Sequence, residues 1–215
     1  MKSQQSGFTL VEIAIVLVII GLLLGGILKG QELINSAKVK NLANDFRVIP
    51  TYIYAYQDKF KALPGDDPAG QTHLPGGAAS DNGNGNGVID GAWNSTTATD
   101  ESFMFWRHVR LANLAAGPTT LADPEYVPKN AVSGILGVSS TTAAQIHITG
   151  MTGTYQVCSK GILGRFAKQL DIQMDDGNTA TGSMRAVLDT AALGTAAVAT
   201  AAIDEAAAYT VCMTF

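Results

Sequence analysis

Charge is scarce in this chain: only 15% of its 215 residues are Asp, Glu, Lys or Arg, and the formal net charge is −4. That balance excludes a basic nucleic-acid-binding domain, which needs a clustered positive surface, and equally a highly charged disordered tail. Histidine and cysteine are scarcer still, with three and two copies. No set of cysteines has the spacing of zinc ligands, and His73, His108 and His147 lie in separate segments with no Ser-His-Asp or Cys-His pattern around them. Phosphate-cradling motifs are missing too, because the glycine-rich run at 81–91 neither follows a strand nor opens a helix. These absences exclude the common enzyme classes and leave a protein that works by packing and association. The length allows one sizeable domain plus an extra element.

What the chain does have is an uneven distribution of apolar residues. From Phe8 to Leu28 there are 21 residues with a single charge, Glu12. As a helix this block spans about 31 Å, the hydrocarbon thickness of a bilayer. A secretory signal would have a shorter apolar core ending at a small-residue cleavage site, whereas this one runs directly into a polar-striped helical segment, so it is expected to be retained. Lys2 is the only side-chain charge ahead of it, which points to a cytoplasmic N-terminus. A lone carboxylate inside such a segment costs about 2.5–3.5 kcal/mol on insertion scales, so Glu12 needs a partner. Cleavage after Gly7 would create an amino group on Phe8, one helical turn away. In an assembly that amine could approach the Glu12 of a neighbouring copy.

Gly7-Phe8-Thr9-Leu10-Val11-Glu12, followed by an unbroken apolar stretch, resembles the class III leader of type IV pilins and type II secretion pseudopilins. The resemblance covers Gly7 to about Leu28 closely and the rest only in plan. It implies that a prepilin peptidase cuts between Gly7 and Phe8 and N-methylates Phe8, and that Glu12 guides subunit docking. It further implies a bacterial inner-membrane protein that self-assembles, with the inner-membrane assembly machinery, into a filament of the type IV pilus kind, periplasmic or on the cell surface. A type II secretion pseudopilin is the alternative within the class. A monomeric, membrane-tethered calcium- or ligand-binding module is the rival outside it. One departure from the family pattern is the absence of a proline near Lys29; Gly21, Gly25, Gly26 and Gly30 are the soft spots instead.

Beyond Lys29 the apolar residues thin to a stripe, Leu42, Phe46, Ile49, Ile53, Tyr56, Phe60 and Leu63, with alternating steps of four and three. The expected organisation is a leader at 1–7, a helix at 8–62 with a transmembrane half and an amphipathic half, and a head at 63–215. Leu63-Pro64-Gly65 ends the helix, and Pro50 would kink it. The expected fold class is α+β, the helix packed on a small antiparallel sheet with long loops.

Within the 64–94 loop, Asn82, Asn84, Asn86 and Asp90 fall at places one, three, five and nine of an EF-hand-type calcium pattern, with Gly87 at six. Trp93 stands at the twelfth place in place of a bidentate Glu, so two readings stay open, a weak calcium site and a turn-rich Gly-Asn loop. A second acidic turn, Asp175-Asp176-Gly177-Asn178, fits a helix end or hairpin. Asp100 can cap a helix reaching Leu114. Residues 145–149 and 154–158 alternate as a hairpin would, 161–174 has helical spacing, and 209–215 alternates as a last strand. The Ala-rich stretch 191–208 has no readable state. Cys158 and Cys212 both lie on the exported side, where an even count predicts a disulfide.

Overall fold

The computed structural model describes residues 9–215, beginning with a helix, α1, at Leu10–Phe60. By their contacts the residues group into two units, one through Lys38 and one from Val39 onward. In the first, α1 presents large apolar side chains to its surroundings along its whole length, from Leu10 at 86% exposure to Ile34 at 58%. It is the one helix among the described residues long and apolar enough to cross a membrane.

In the second unit the same helix buries Val39, Leu42, Ala43, Phe46, Ile49, Ile53 and Tyr56. Their three- and four-residue spacing puts them on one stripe, the pattern read from sequence. α1 continues through Pro50. It ends at Phe60, followed by Lys61 in a left-handed conformation (φ 56°). Beyond it come a single-turn α2 (Gly70–His73), α3 (Glu101–Leu111), β1 (Leu136–Ser140), β2 (Tyr155–Leu163), α4 (Gly164–Met174), β3 (Met184–Leu188) and β4 (Ala208–Thr214), with 3-10 turns at Ala79–Asp81 and Thr200–Ala202. The strands form one antiparallel sheet in the order β1-β2-β4-β3. The fold is α+β, a long helix with a small antiparallel sheet.

Alternation along the strands gives the sheet two distinct faces. Val138, Val157, Met184, Ala186, Tyr209 and Val211 share one apolar cluster with the α1 stripe, with Phe103, Phe105 and Val109 of α3, and with Phe166, Ala167 and Leu170 of α4. The in-between positions meet a second cluster of Trp93, Ile148, Met151, Cys158, Val187 and Cys212. Cys158 and Cys212 stand directly opposite each other on the two central strands and form a disulfide, with Cα atoms 4.1 Å apart. Gly137 is needed on this face, because a Cβ there would collide with the Trp93 carbonyl oxygen.

Several elements differ from the sequence-based expectation. Residues 145–149 are not a strand: Ile148 makes only an isolated bridge to Thr195, and its side chain is buried on the second face of the sheet. Their alternation reflects burial beneath a covering loop. β2 extends to Leu163 past a register shift between Ser159 and Ile162, where Gly161 takes φ 76°, so α4 starts three residues later than its helical spacing suggests. β1 contains Gly and two Ser, and β3 is five residues long; neither announces itself by composition. The 191–208 stretch is mostly irregular and is tied down by backbone bonds from Gly194 to Ile146 and from Val198 to Ala186.

α4 carries Asp171, which is 1% exposed. Neither carboxylate oxygen has a hydrogen-bond partner. Burial, reinforced by the Asp176 and Asp175 carboxylates, pushes its pKa up to about 6. A folded-state value above the unfolded one means that the protonated side chain favours the fold. That contribution is complete below pH ~4 and disappears as pH rises through about 6. Asp171→Asn is therefore expected to stabilise the protein by about 1–3 kcal/mol at pH 7.5 and to be nearly neutral at pH 4, as read from unfolding midpoints at the two pH values. Replacing both Cys158 and Cys212 with Ser should lower stability by about 2–4 kcal/mol, and reduction with alkylation of the wild-type chain should add the mass of two labels.

Candidate functional site

Two regions carry the residues singled out by sequence. The first is the start of α1. Gly7 and Phe8 lie outside the described residues, but Thr9 and Glu12 do not. The Glu12 Oε2 accepts hydrogen bonds from the Thr9 backbone N–H at 2.8 Å and from the Thr9 hydroxyl at 2.7 Å. The Glu12 N–H in turn donates to Thr9 Oγ1 at 3.3 Å. This is a capping box, Thr-x-x-Glu, in which each residue satisfies a backbone donor of the other at a helix start. The signature was present in the sequence as Thr9-Leu10-Val11-Glu12, and it supplies Glu12 with a partner inside its own chain. The negative charge also sits at the positive end of the helix dipole.

The second region is the 64–101 loop, which is organised by buried carboxylates. Asp66 accepts from the N–H groups of Gly85 (2.6 Å), Asn86 (3.0 Å) and Gly87 (2.7 Å). Glu101 accepts from Asn84 N–H and Asp90 N–H, both at 3.0 Å. Burial, with the neighbouring Asp66 and Asp90 charges added, raises the Glu101 pKa against those bonds. Asp81 is held by Arg107 at 2.6 Å. Burial would raise the Asp81 pKa, but the Arg107 contact and the Ala78 N–H outweigh it and hold the group in its charged form.

Inside this frame the calcium pattern can be tested on its own oxygens. Asn82 Oδ1 accepts from Gln71 N–H, Asn84 Oδ1 from Asn86 N–H, and Asn86 Oδ1 from Val88 N–H, at 2.8, 2.9 and 2.8 Å. The Asn84 and Asn86 side-chain amides donate to Asp90 Oδ2 at 3.1 and 2.9 Å, and Gln145 donates to Asp90 Oδ1 at 2.9 Å. Amide N–H groups, not oxygens, therefore face Asp90. Trp93, at the twelfth place, is buried beside the disulfide. Among the described residues no group of three or more His, Cys, Asp or Glu is arranged to hold a metal ion. This arrangement does not fit an EF-hand-type calcium site, whose ligand oxygens must converge on one point.

The histidines serve packing and loop attachment. The Tyr56 hydroxyl donates to Asp67 Oδ2 at 2.8 Å, and His73 Nδ1 lies 2.7 Å from the same oxygen. Burial raises the Asp67 pKa, yet the hydrogen bonds from His73, Ala69 and Tyr56 bring it below the usual carboxylate range. His108 Nδ1 accepts from Gly65 N–H at 2.9 Å, which requires a neutral ring, and burial lowers its pKa accordingly. His147 is buried against Trp93 with both ring nitrogens unpartnered. The Asp67–His73 pair borders an open cleft of about 660 Å³ shared with Phe60, Lys61, Asp66 and Tyr155. No nucleophile with an activating base lies in it among the described residues.

The described residues thus open on Thr9 and Glu12 at the start of an apolar helix long enough to cross a membrane and continue into an α+β head that holds a disulfide. Residues 2–28 match the family described as "Prokaryotic N-terminal methylation motif". No curated protein and no solved structure matches the chain. The matched segment is that of a class III prepilin, so the chain is pilin- or pseudopilin-like at its N-terminus. That motif points to a structural subunit processed by a prepilin peptidase, and with the apolar helix it fits anchoring in the inner membrane before assembly.

Because the Asn oxygens point to separate backbone N–H groups and the Asn amides face Asp90, adding millimolar calcium to the full chain in detergent is expected to leave its thermal midpoint unchanged. Asp66→Ala, which strands three backbone N–H groups, should lower stability by about 1–3 kcal/mol. A rise of several degrees on adding calcium would restore the cation reading.

Proposed function

We propose that this protein is a structural subunit of a type IV pilus-like filament. The leader is removed after Gly7, Phe8 is N-methylated, and the apolar half of α1 stores the subunit in the inner membrane until the assembly machinery draws it into the filament. The observation that carries this reading is the methylation motif over 2–28, with Glu12 as the one charge in the apolar block. In the monomer Thr9 satisfies Glu12. In the filament Glu12 exchanges this local contact for the Phe8 amine of a neighbour, where an ion pair shielded from water is far stronger than one in solvent. The exposed apolar surface of residues 10–34 then moves from lipid to neighbouring helices. A pilus is favoured over a type II secretion pseudopilus by the long 64–101 loop, larger than a minimal pseudopilin needs.

Two measurements test this. N-terminal sequencing of the mature protein should begin at methylated Phe8; an intact Met1 would exclude it. Glu12→Ala should leave the protein in the membrane and abolish filaments, since insertion loses a penalty while docking loses its charge partner. Normal filaments from that variant would remove the docking role. A monomeric ligand-binding module would be indifferent to the same change.

A further inference from the structure

The 82–90 loop repeats one dipeptide three times: Asn82-Gly83, Asn84-Gly85 and Asn86-Gly87. A peptide nitrogen that follows Asn can attack the side-chain carbonyl carbon, and glycine is the least hindered successor because it has no Cβ. The attack needs a base for the peptide N–H, a polarised carbonyl and close placement of the reacting groups. The loop supplies a base and a polarised carbonyl at two of the three repeats. Gly85 N–H and Gly87 N–H donate to the two oxygens of Asp66, at 2.6 and 2.7 Å. The carbonyl oxygens under attack, Asn84 Oδ1 and Asn86 Oδ1, each accept the N–H two residues onward. Such turns draw each side-chain carbonyl back toward the backbone of the glycine that follows it. Both departing amides are hydrogen-bonded to Asp90, and both side chains are exposed to water. At the third repeat, Gly83 N–H donates instead to the Asp67 backbone carbonyl, at 2.8 Å, and Asn82 Oδ1 is held by the distant Gln71 N–H.

We propose that Asn84 and Asn86 are sites of self-catalysed deamidation, with Asp66 as the base. Asp66 takes the proton from the Gly85 or Gly87 nitrogen as that nitrogen bonds to the Asn Cγ. The Cγ–Nδ2 bond breaks, and ammonia leaves with the proton returned from Asp66. Water then opens the cyclic imide to Asp or isoaspartate. One water is consumed and one ammonia released per residue, with no oxidant or reductant. Each event replaces an amide donor to Asp90 with a carboxylate beside it, so the loop exchanges a hydrogen bond for a like-charge contact and the chain becomes more acidic.

The full chain in detergent, held at neutral pH, tests this by peptide mass spectrometry that follows the amide-to-acid change at each of the three positions. The same chain reduced and unfolded in denaturant gives the intrinsic rates. Asn84 and Asn86 should convert at least about tenfold faster folded than unfolded, the scale of one positioned base, while Asn82 should be slower folded than unfolded. Asp66→Asn keeps an acceptor but removes the base, and should return positions 84 and 86 to the unfolded rate without altering position 82. Equal rates at all three positions, or slower conversion of 84 and 86 in the folded chain, overturns the proposal. The folded-to-unfolded contrast in the wild-type chain decides the matter even if the variant does not fold.

Discussion

Six side chains of α1 between Val39 and Ile53 share the apolar cluster on the inner face of the sheet, while Tyr56 packs with Leu74 and Ala112, and the rest of the head is arranged around that stripe. α3 and α4 add their apolar faces to the same cluster. The strands alternate so that one set of residues meets α1 while the other meets the disulfide and Trp93. Removing the helix from the head would expose the residues of the strands, α3 and α4 that share its cluster, worth far more than a single side chain's contribution of about 1.5–3 kcal/mol. One helix therefore has two functions in succession along its length. Through Ile34 its large apolar side chains are exposed among the described residues, and from Val39 onward it is part of the core of a folded domain.

Glu12 acquires its meaning from that continuity. A carboxylate in a membrane-length apolar segment is tolerable when something local satisfies it, and Thr9 does so through a reciprocal pair of bonds at the helix start. The cap is weak enough to be exchanged, since an N-cap is worth about 1 kcal/mol. A partner of opposite charge in a dry interface can outcompete it.

The long loop is held by carboxylates as well as by a few apolar anchors. Asp66, Asp81 and Glu101 gather backbone N–H groups and one guanidinium, while Leu74, Ile89 and Trp93 bury themselves in the apolar clusters, so a Gly-, Asn- and Asp-rich stretch becomes ordered. Tyr56 and His108 connect this network to α1 and α3 through Asp67 and Gly65. The same hydrogen bonds that stiffen the loop turn the Asn oxygens toward backbone N–H groups and the Asn amides toward Asp90.

The sequence by itself determined the parts whose chemistry is local. The membrane-length apolar run with its single acid follows from composition, and the α1 stripe, a helix after Asp100, most of the 161–174 helix and the last strand follow from periodicities of 3.6 and 2 that the fold kept at those places. The cap on Glu12 was also legible, as Thr-x-x-Glu. Tertiary structure alone decided what depends on residues far apart in the chain. β1 and β3 are strands because β2 and β4 offer them hydrogen-bonding edges, and 145–149 is a covering loop because the second sheet face needed burial more than its backbone needed a partner strand. Asp66 lies about twenty residues from the N–H groups it collects, a distance over which no sequence periodicity operates. The residues at calcium spacing form turns whose backbone N–H groups are received by that distant carboxylate.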